Sequence, residues 1–543
     1  MHTDAYYIAN YLQKMNLCPK VLTEEGTFRF LSLYAKNRDE WVVTDAACIV
    51  SGVTCVTLYD TLGKESIDYI LEQTYMKTIV LQGDKLKNIV DLKKEGKLRQ
   101  LTHAIYYDEV KQTEIEGAQS AGLTVIPYVQ ALEEGKAMGA QEFDLVTPET
   151  MYTFSYTSGT TGMPKGVMLS HRNFVSNVGA MAGYDGEFEL RNDDVYLSYL
   201  PLAHVFERCL MLCAMAYQME YGFFQGDVLK LRDDLAELKP TIFVSVPRLY
   251  NRFYDVMQTK INELTGMKRR ITDWGIQKKL YNLENYAKVT HTFYDTLVFN
   301  KFKAILGGRV RFMLTGSAPI SKEVLSFLKI AFCCPINEGY GQTECGAPAA
   351  ITFSRDPTVG HVGGPYRTLD IKLVDVPDMN YTSEDKDEAG NPMPRGEVCY
   401  KGWNTFRGYF RNPEGTKDAI DSEGWVHTGD VGMFLPSGAL KIIDRKKNIF
   451  KLSQGEYIAP DKIEGKLAQS LFIAQIFVYG DSLQHFVVAV VVPEKPAIEK
   501  WAAENGVAGT FGELCKNEKV NKFYLDEMKA KAKEAGVSVR LLT

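Results

Sequence analysis

Short apolar runs alternate with amphipathic stretches through most of this chain. Residues 46–58 are apolar, 66–74 have helical spacing, and 78–81 form a short apolar run of strand length. Residues 101–107 and 123–128 repeat the strand pattern, and 195–200, 241–246 and 309–315 continue it. Strands alternating with helices predict an α/β protein with layered, mostly parallel sheets. Residues 375–394, rich in Asp, Pro and Asn, read as a loop, and 397–401 and 439–443 as short strands. The texture changes after Asp444. Residues 446–451 are basic, 453–457 (SQGEY) read as a turn, 461–469 as a helix, and 475–479 and 486–492 as strands of a small α+β unit. A boundary at Asp444–Arg445 therefore divides the chain into a large unit, 1–443, and a small one, 444–543. No internal repeat or low-complexity tract interrupts either.

A chain of 543 residues is too long for one ordinary core, which agrees with two domains. Apolar content of 45% and charged content of 24% are those of a globular protein. The net charge of −6 supplies no broad basic field, so nucleic acid is not an expected partner and any anionic ligand needs local donors. The ten cysteines show no C-x-x-C pair, although Cys333 and Cys334 are adjacent. Reduced thiols in an intracellular, cytoplasmic protein are the plain expectation. The start of the chain lacks the basic and apolar regions of a signal peptide. No uncharged apolar run reaches the roughly 18 residues of a membrane span, so no transmembrane segment is expected. Peripheral contact with the endoplasmic reticulum or another membrane stays open. In residues 267–288, Lys268, Arg269, Arg270, Lys278 and Lys279 alternate with apolar positions. That segment suits a membrane surface, but the plainer reading is a solvated helix face.

The segment YTSGTTGMPKG, residues 156–166, holds four hydroxyls, three glycines and a lysine. It departs from the Walker loop, because Pro164 precedes Lys165 and no hydroxyl follows it. The parts still suit a polyphosphate. Gly159, Gly162 and Gly166 let backbone turn and approach a ligand, Thr157, Ser158, Thr160 and Thr161 add donors, and Lys165 adds charge. A polar loop after a strand is the competing reading.

Five further motifs follow in order: YLPLAHVFE (199–207), LTGSAP (314–319), EGYGQTE (338–344), GWVHTGD (424–430) and IDRKKNIFKLSQGEYIAP (443–460). Together with the first they resemble the adenylate-forming enzymes over roughly residues 25–500. NRDEWVVTDAAC (37–48), TLYDTLG (57–63), FFQGD (223–227) and KPTIFVSVPRLYNRFYD (239–255) are similar to the long-chain fatty acyl-CoA synthetases. The resemblance implies an ATP-dependent, AMP-forming fatty acid–CoA ligase whose small-molecule substrates are ATP, a long-chain fatty acid and coenzyme A. An acid of shorter chain or an aromatic acid is the alternative within the fold.

The resemblance also implies roles. The glycine-rich loop, with Thr157, Ser158, Gly159, Thr160, Thr161, Gly162 and Lys165, would wrap the β- and γ-phosphates. Glu344 would bind Mg²⁺, with Thr157 assigned to metal or phosphate, and Thr343 would touch the α-phosphate. Gly316, Ser317 and Ala318 would let adenine lie against backbone, with Glu338, Gly339, Tyr340 and Gly341 beside it and Tyr340 stacking. Asp430 would accept from the ribose hydroxyls, and Arg445 would neutralise ribose and phosphate oxygens. His204 would orient the acyl carboxylate or gate the site; a packed core histidine is the alternative, and Glu207 in the same motif is equally open. Residues 209–224 would line an acyl tunnel or simply fill a core. Asp444 falls at the hinge about which the small domain rotates, and Ser453, Gly455 and Glu456 would face the thiol of coenzyme A. The family's lysine-bearing loop, near T-P-T-x-K-x-K-R, is not found before the chain stops at SVRLLT (538–543). The small domain therefore reads as truncated, and a nucleotide or fatty-acid binder impaired in adenylation is the competing expectation.

Overall fold

A computed structural model of the chain describes residues 2–157, 163–181, 189–446, 450–451, 457–458, 460–480, 487–534 and 541–542. The predicted residues Ser158, Gly159, Thr160, Thr161, Gly162, Ser453, Gly455 and Glu456 lie outside the described residues.

Three sheets build the large unit. The first runs Thr124–Pro127, His103–Tyr107, Thr78–Gln82, Gly26–Tyr34, Thr54–Thr57, Met151–Thr157, Lys165–Ser170, with Lys20–Thr23 on the side of Gly26–Tyr34. It is parallel except at that added strand and at the hairpin of Met151–Thr157 with Lys165–Ser170. The second runs Glu220–Phe223, Val195–Ser198, Ile242–Ser245, Phe312–Thr315, Ile336–Tyr340, then antiparallel Ala350–Ile351 and Gly364–Pro365. Its central strands are buried along their whole length, which explains their largely apolar composition. The third is an antiparallel meander of Leu369–Val374, Arg395–Gly402, Val426–Phe434 and Leu440–Arg445.

The apolar stretch 46–58 resolves into two elements. Helix Asp39–Ser51 ends at Gly52, whose φ of 67° makes the left-handed turn, and strand Thr54–Thr57 follows. The loop expected at 375–394 contains only a single 3₁₀ turn, Pro377–Met379, and two isolated bridges. Beyond residue 457, helix Pro460–Leu467, strands Ile473–Gly480 and Val487–Pro493 and helix Glu518–Glu534 surround their own core of Ile463, Leu467, Val478, Val487, Ile498 and Met528.

Candidate active site

Chain segments leave the carboxyl ends of parallel strands and converge on a cleft of about 770 Å³. Open α/β sheets bind ligands at that end, because the loops there are free to vary while the strands fix where they begin. Strand Phe312–Thr315 delivers Gly316 and Ser317, and strand Ile336–Tyr340 delivers Gly339, Tyr340, Gly341, Thr343 and Glu344. Strand Met151–Thr157 delivers Thr157, and the segment after Val195–Ser198 delivers His204. The antiparallel sheet contributes Asp430 and Arg445, which face each other as register partners.

Asp430 is buried and held from two sides. The Tyr340 hydroxyl donates to its Oδ2 at 2.6 Å, and the Gln342 amide donates to the same oxygen at 2.9 Å. The exposed Arg445 guanidinium stands 3.9 Å from Oδ1. Gln342 also donates to the Thr428 carbonyl, so one side chain ties the 338–344 motif to the 424–430 motif.

Glu344 accepts from the Tyr409 hydroxyl at 2.7 Å. Burial pushes its carboxyl above the ordinary range, with the hydroxyl and the Lys165 charge acting in the opposite direction. Lys165 sits 4.9 Å from the centre of the Tyr409 ring. Tyr409 thus links the two groups, although Lys165 itself is not on the cleft wall. Thr157 pairs with Lys165 in the antiparallel ladder of strands Met151–Thr157 and Lys165–Ser170. Gly166 has a different reason from the one its motif suggests: an added Cβ would lie 2.9 Å from the Tyr156 ring. Gly341 is equally constrained, since a Cβ there would fall 1.5 Å from the Ala347 carbonyl oxygen.

His204 caps helix Val205–Tyr217, its Nδ1 accepting from the Phe206 amide at 3.1 Å. Burial lowers its pKa. A neutral ring that accepts at Nδ1 carries its proton on Nε2. Phe206, Cys209, Leu210 and Cys213 follow on one face of that helix and, with Met181 and Leu314, make the cleft's apolar lobe. A smaller apolar cavity behind shares Leu210, Cys213 and Leu314 as its wall and reaches Met219 and Phe312.

Other predicted residues lie elsewhere. Ala318 is exposed and off the cleft wall. Glu338 is also off the wall and buried, its carboxyl pushed up to about 8 by burial, against the pull of Lys329. Glu207 is fully buried and accepts from Tyr196, Ser198 and Tyr221 at 2.6–2.8 Å. Asp444 is buried, its Oδ1 accepting from the Arg445 amide. Gln342 and Tyr409 were not singled out from sequence. Gln342 lies inside a recognised motif, whereas Tyr409 stands 65 residues from Glu344 with no local signal.

The AMP-binding enzyme model matches residues 7–410. Long chain acyl-CoA synthetase 7, peroxisomal, of Arabidopsis thaliana is 42% identical over 507 residues, covering 93% of this chain and 71% of the relative. Long-chain-fatty-acid–CoA ligase 1 of Homo sapiens is 42% identical over 514 residues, covering 94% and 72%. Among solved structures, the A domain of a carboxylic acid reductase from Segniliparus rugosus, in complex with AMP and a co-purified carboxylic acid, superposes with a TM-score of 0.79. It is 24% identical and covers 99% of this chain and 80% of that one, which speaks to the fold.

Proposed function

This chain belongs to the AMP-binding enzyme family, among the long-chain acyl-CoA synthetases, and from that premise we propose how its residues carry the reaction. It is a long-chain fatty acid–CoA ligase. In the first step a fatty-acid carboxylate oxygen attacks the α-phosphorus of ATP. The acyl–phosphate bond forms, the α–β bridge breaks, and pyrophosphate leaves. In the second the thiol of coenzyme A attacks the acyl carbon and AMP departs. The observation that carries this reading is one cleft with a polar end at Glu344 and Asp430 and an apolar lobe beyond His204.

The polar end suits the nucleotide. Asp430, already oriented by Tyr340 and Gln342, accepts from the ribose hydroxyls, and Arg445 adds positive charge beside it. Gly316 and Ser317 leave room for a flat base against backbone, with Gly339, Tyr340 and Gly341 on the adjacent strand beside it. Lys165, Thr157 and the glycine-rich run between them in the sequence take the β- and γ-phosphates. Thr343, beside Glu344, reaches the α-phosphate. His204 donates from Nε2 to the acyl carboxylate and sets its angle of attack.

The family implies Mg²⁺. Glu344 fits it, being a half-buried carboxylate on the cleft wall with one oxygen engaged by Tyr409. Among the described residues no cluster of three or more His, Cys, Asp or Glu could hold a metal alone. Mg²⁺ commonly binds through one or two carboxylates and substrate phosphates, so Glu344, with Thr157 near, is a sufficient protein share. When bound, the ion would neutralise charge on the phosphate oxygens.

Residues 1–443 form the adenylation domain and 444–543 the small domain, with Asp444 and Arg445 at the hinge between them. We assign Ser453, Gly455 and Glu456 to the recognition of coenzyme A. Peripheral attachment to a membrane suits an enzyme whose acid substrate partitions into lipid.

The test is Glu344→Gln assayed by pyrophosphate release. It keeps the shape and removes the charge, and it lowers turnover about 10²–10³-fold, the scale for one electrostatic group at developing charge. ATP protection of the fold survives. Turnover within twofold of the wild type would remove Glu344 from the reaction.

A further inference from the structure

Helix Gly266–Tyr286 is turned the wrong way for an ordinary surface helix. Its buried residues, Thr272, Gly275, Lys279 and Leu283, lie on one side, where Gly275 and Lys279 meet Phe299 of the large unit's core. At 100° per residue, Met267, Trp274 and Tyr281 recur every seven positions on the far side, facing outward. Arg270 and Lys278 share that stripe and are exposed like the three apolar residues. Trp274 keeps 55% of its surface in solvent. The next segment, Asp295–Phe299 with the preceding turn Thr292–Tyr294, packs Tyr294 and Phe299 against Gly275 and exposes Phe293 and Leu297.

Two quantities separate this patch from the scatter of apolar residues that any protein exposes. Six of the twenty-four large apolar side chains exposed among the described residues lie between Met267 and Leu297. That is a quarter of them in a small fraction of the chain. The charge is also inverted. Residues 266–303 carry eight lysines and arginines against three acids, in a protein whose net charge is −6. Two of those acids, Asp273 and Asp295, are already paired with Arg269 and Lys279. Outward aromatics interleaved with cations are the composition of a segment lying in the headgroup layer. The rings enter the acyl boundary while the cations stay with anionic phosphates.

We propose that the outward face of helix Gly266–Tyr286, with Phe293 and Leu297 beside it, docks the enzyme on a bilayer bearing anionic headgroups. A protein partner would also cover apolar surface, but the excess of cations along the stripe favours lipid phosphate. The proposal rests on the ligase reading only for its purpose, that the acid is taken from the membrane holding it.

The purified full-length chain is sedimented with phosphatidylcholine vesicles, with or without phosphatidylglycerol, in the absence of ATP. The wild type binds the phosphatidylglycerol vesicles, and binding weakens as salt rises. W274A/Y281A lowers the partition coefficient at least about tenfold, as expected from lost apolar insertion. R270E/K278E removes the preference for anionic lipid, at roughly fivefold or more per charge. All these side chains are remote from the cleft, so turnover of a water-soluble short-chain acid stays at the wild-type rate in both variants. That control reports folding and separates failure of docking from failure of the ligase reading. A wild type that ignores both vesicle types overturns the proposal, as would happen were the face reserved for a protein. Variants that bind vesicles as tightly as the wild type overturn it too.

Discussion

Glu207 shows how far a single residue's surroundings can depart from what its motif suggests. It follows His204 by three positions, yet its side chain enters the core rather than the cleft. Three hydroxyls donate to it, and Asn37 extends the network by donating to Ser198 and to the Leu200 carbonyl while accepting from the Leu202 amide. The network therefore clamps the segment that carries His204. Burial raises the carboxyl from 4.5 to about 7, against the pull of the hydroxyls. A raised folded-state pKa has a definite consequence. Between those two values the folded chain holds a proton that the unfolded chain has released. The associated stability is complete below the unfolded value and is lost as pH rises through about 7. Its size is on the order of 3 kcal/mol. Glu207→Gln has no proton to lose, so its melting temperature falls less between pH 5 and pH 8 than that of the wild type. Parallel melting profiles would show that Glu207 does not titrate in this window.

At the scale of elements, helix Val205–Tyr217 decides the shape of the cleft's apolar lobe. Its sequence is apolar on nearly every side, so periodicity alone could not separate core from tunnel. The structure divides the helix between core and cleft wall. Met211 and Ala214 are buried in packing, while Val205, Phe206, Cys209, Leu210 and Cys213 border the cleft. The helix's rotation is fixed by Arg208, which pairs with Asp45 of helix Asp39–Ser51, both side chains fully buried. Tyr152 and Thr153 complete that site, the Tyr152 hydroxyl donating to Asp45 and Arg208 donating to Thr153. A buried pair of this kind adds little net stability, but breaking it is costly, so it holds one orientation. Cys213→Phe adds bulk to the wall between the lobe and the cavity behind it. The KM for a long-chain acid rises about tenfold, the scale of an overpacked apolar site, while the KM for ATP stays within twofold. An unchanged chain-length profile would place the acyl chain elsewhere.

Over the whole molecule, the readable part of the sequence was the part written locally. Apolar runs located strands Thr78–Gln82, His103–Tyr107, Thr124–Pro127, Val195–Ser198, Ile242–Ser245 and Phe312–Thr315 to within a few residues, whereas Gly26–Tyr34 and Ile336–Tyr340 were not singled out. Four motifs sit where a parallel strand gives way to a loop, and 424–430 leads into strand Val426–Phe434 instead. Contacts between motifs were not readable. Tyr340 and Gln342 reach Asp430 across about ninety positions, and Tyr409 reaches Glu344 across 65. Strand register and sheet packing create those contacts, and no short window of sequence records them. Gly166 makes the same point, since a glycine read as room for a ligand is room for Tyr156.

The central claim is that nucleotide and fatty acid occupy one continuous cleft. A non-hydrolysable acyl-adenylate, with sulfamate in place of the phosphate, measures this directly by calorimetry. The expected result is a single tight site per chain, from which ATP and a long-chain fatty acid each displace the ligand independently. Displacement by ATP alone, with the fatty acid binding alongside undisturbed, would contradict it.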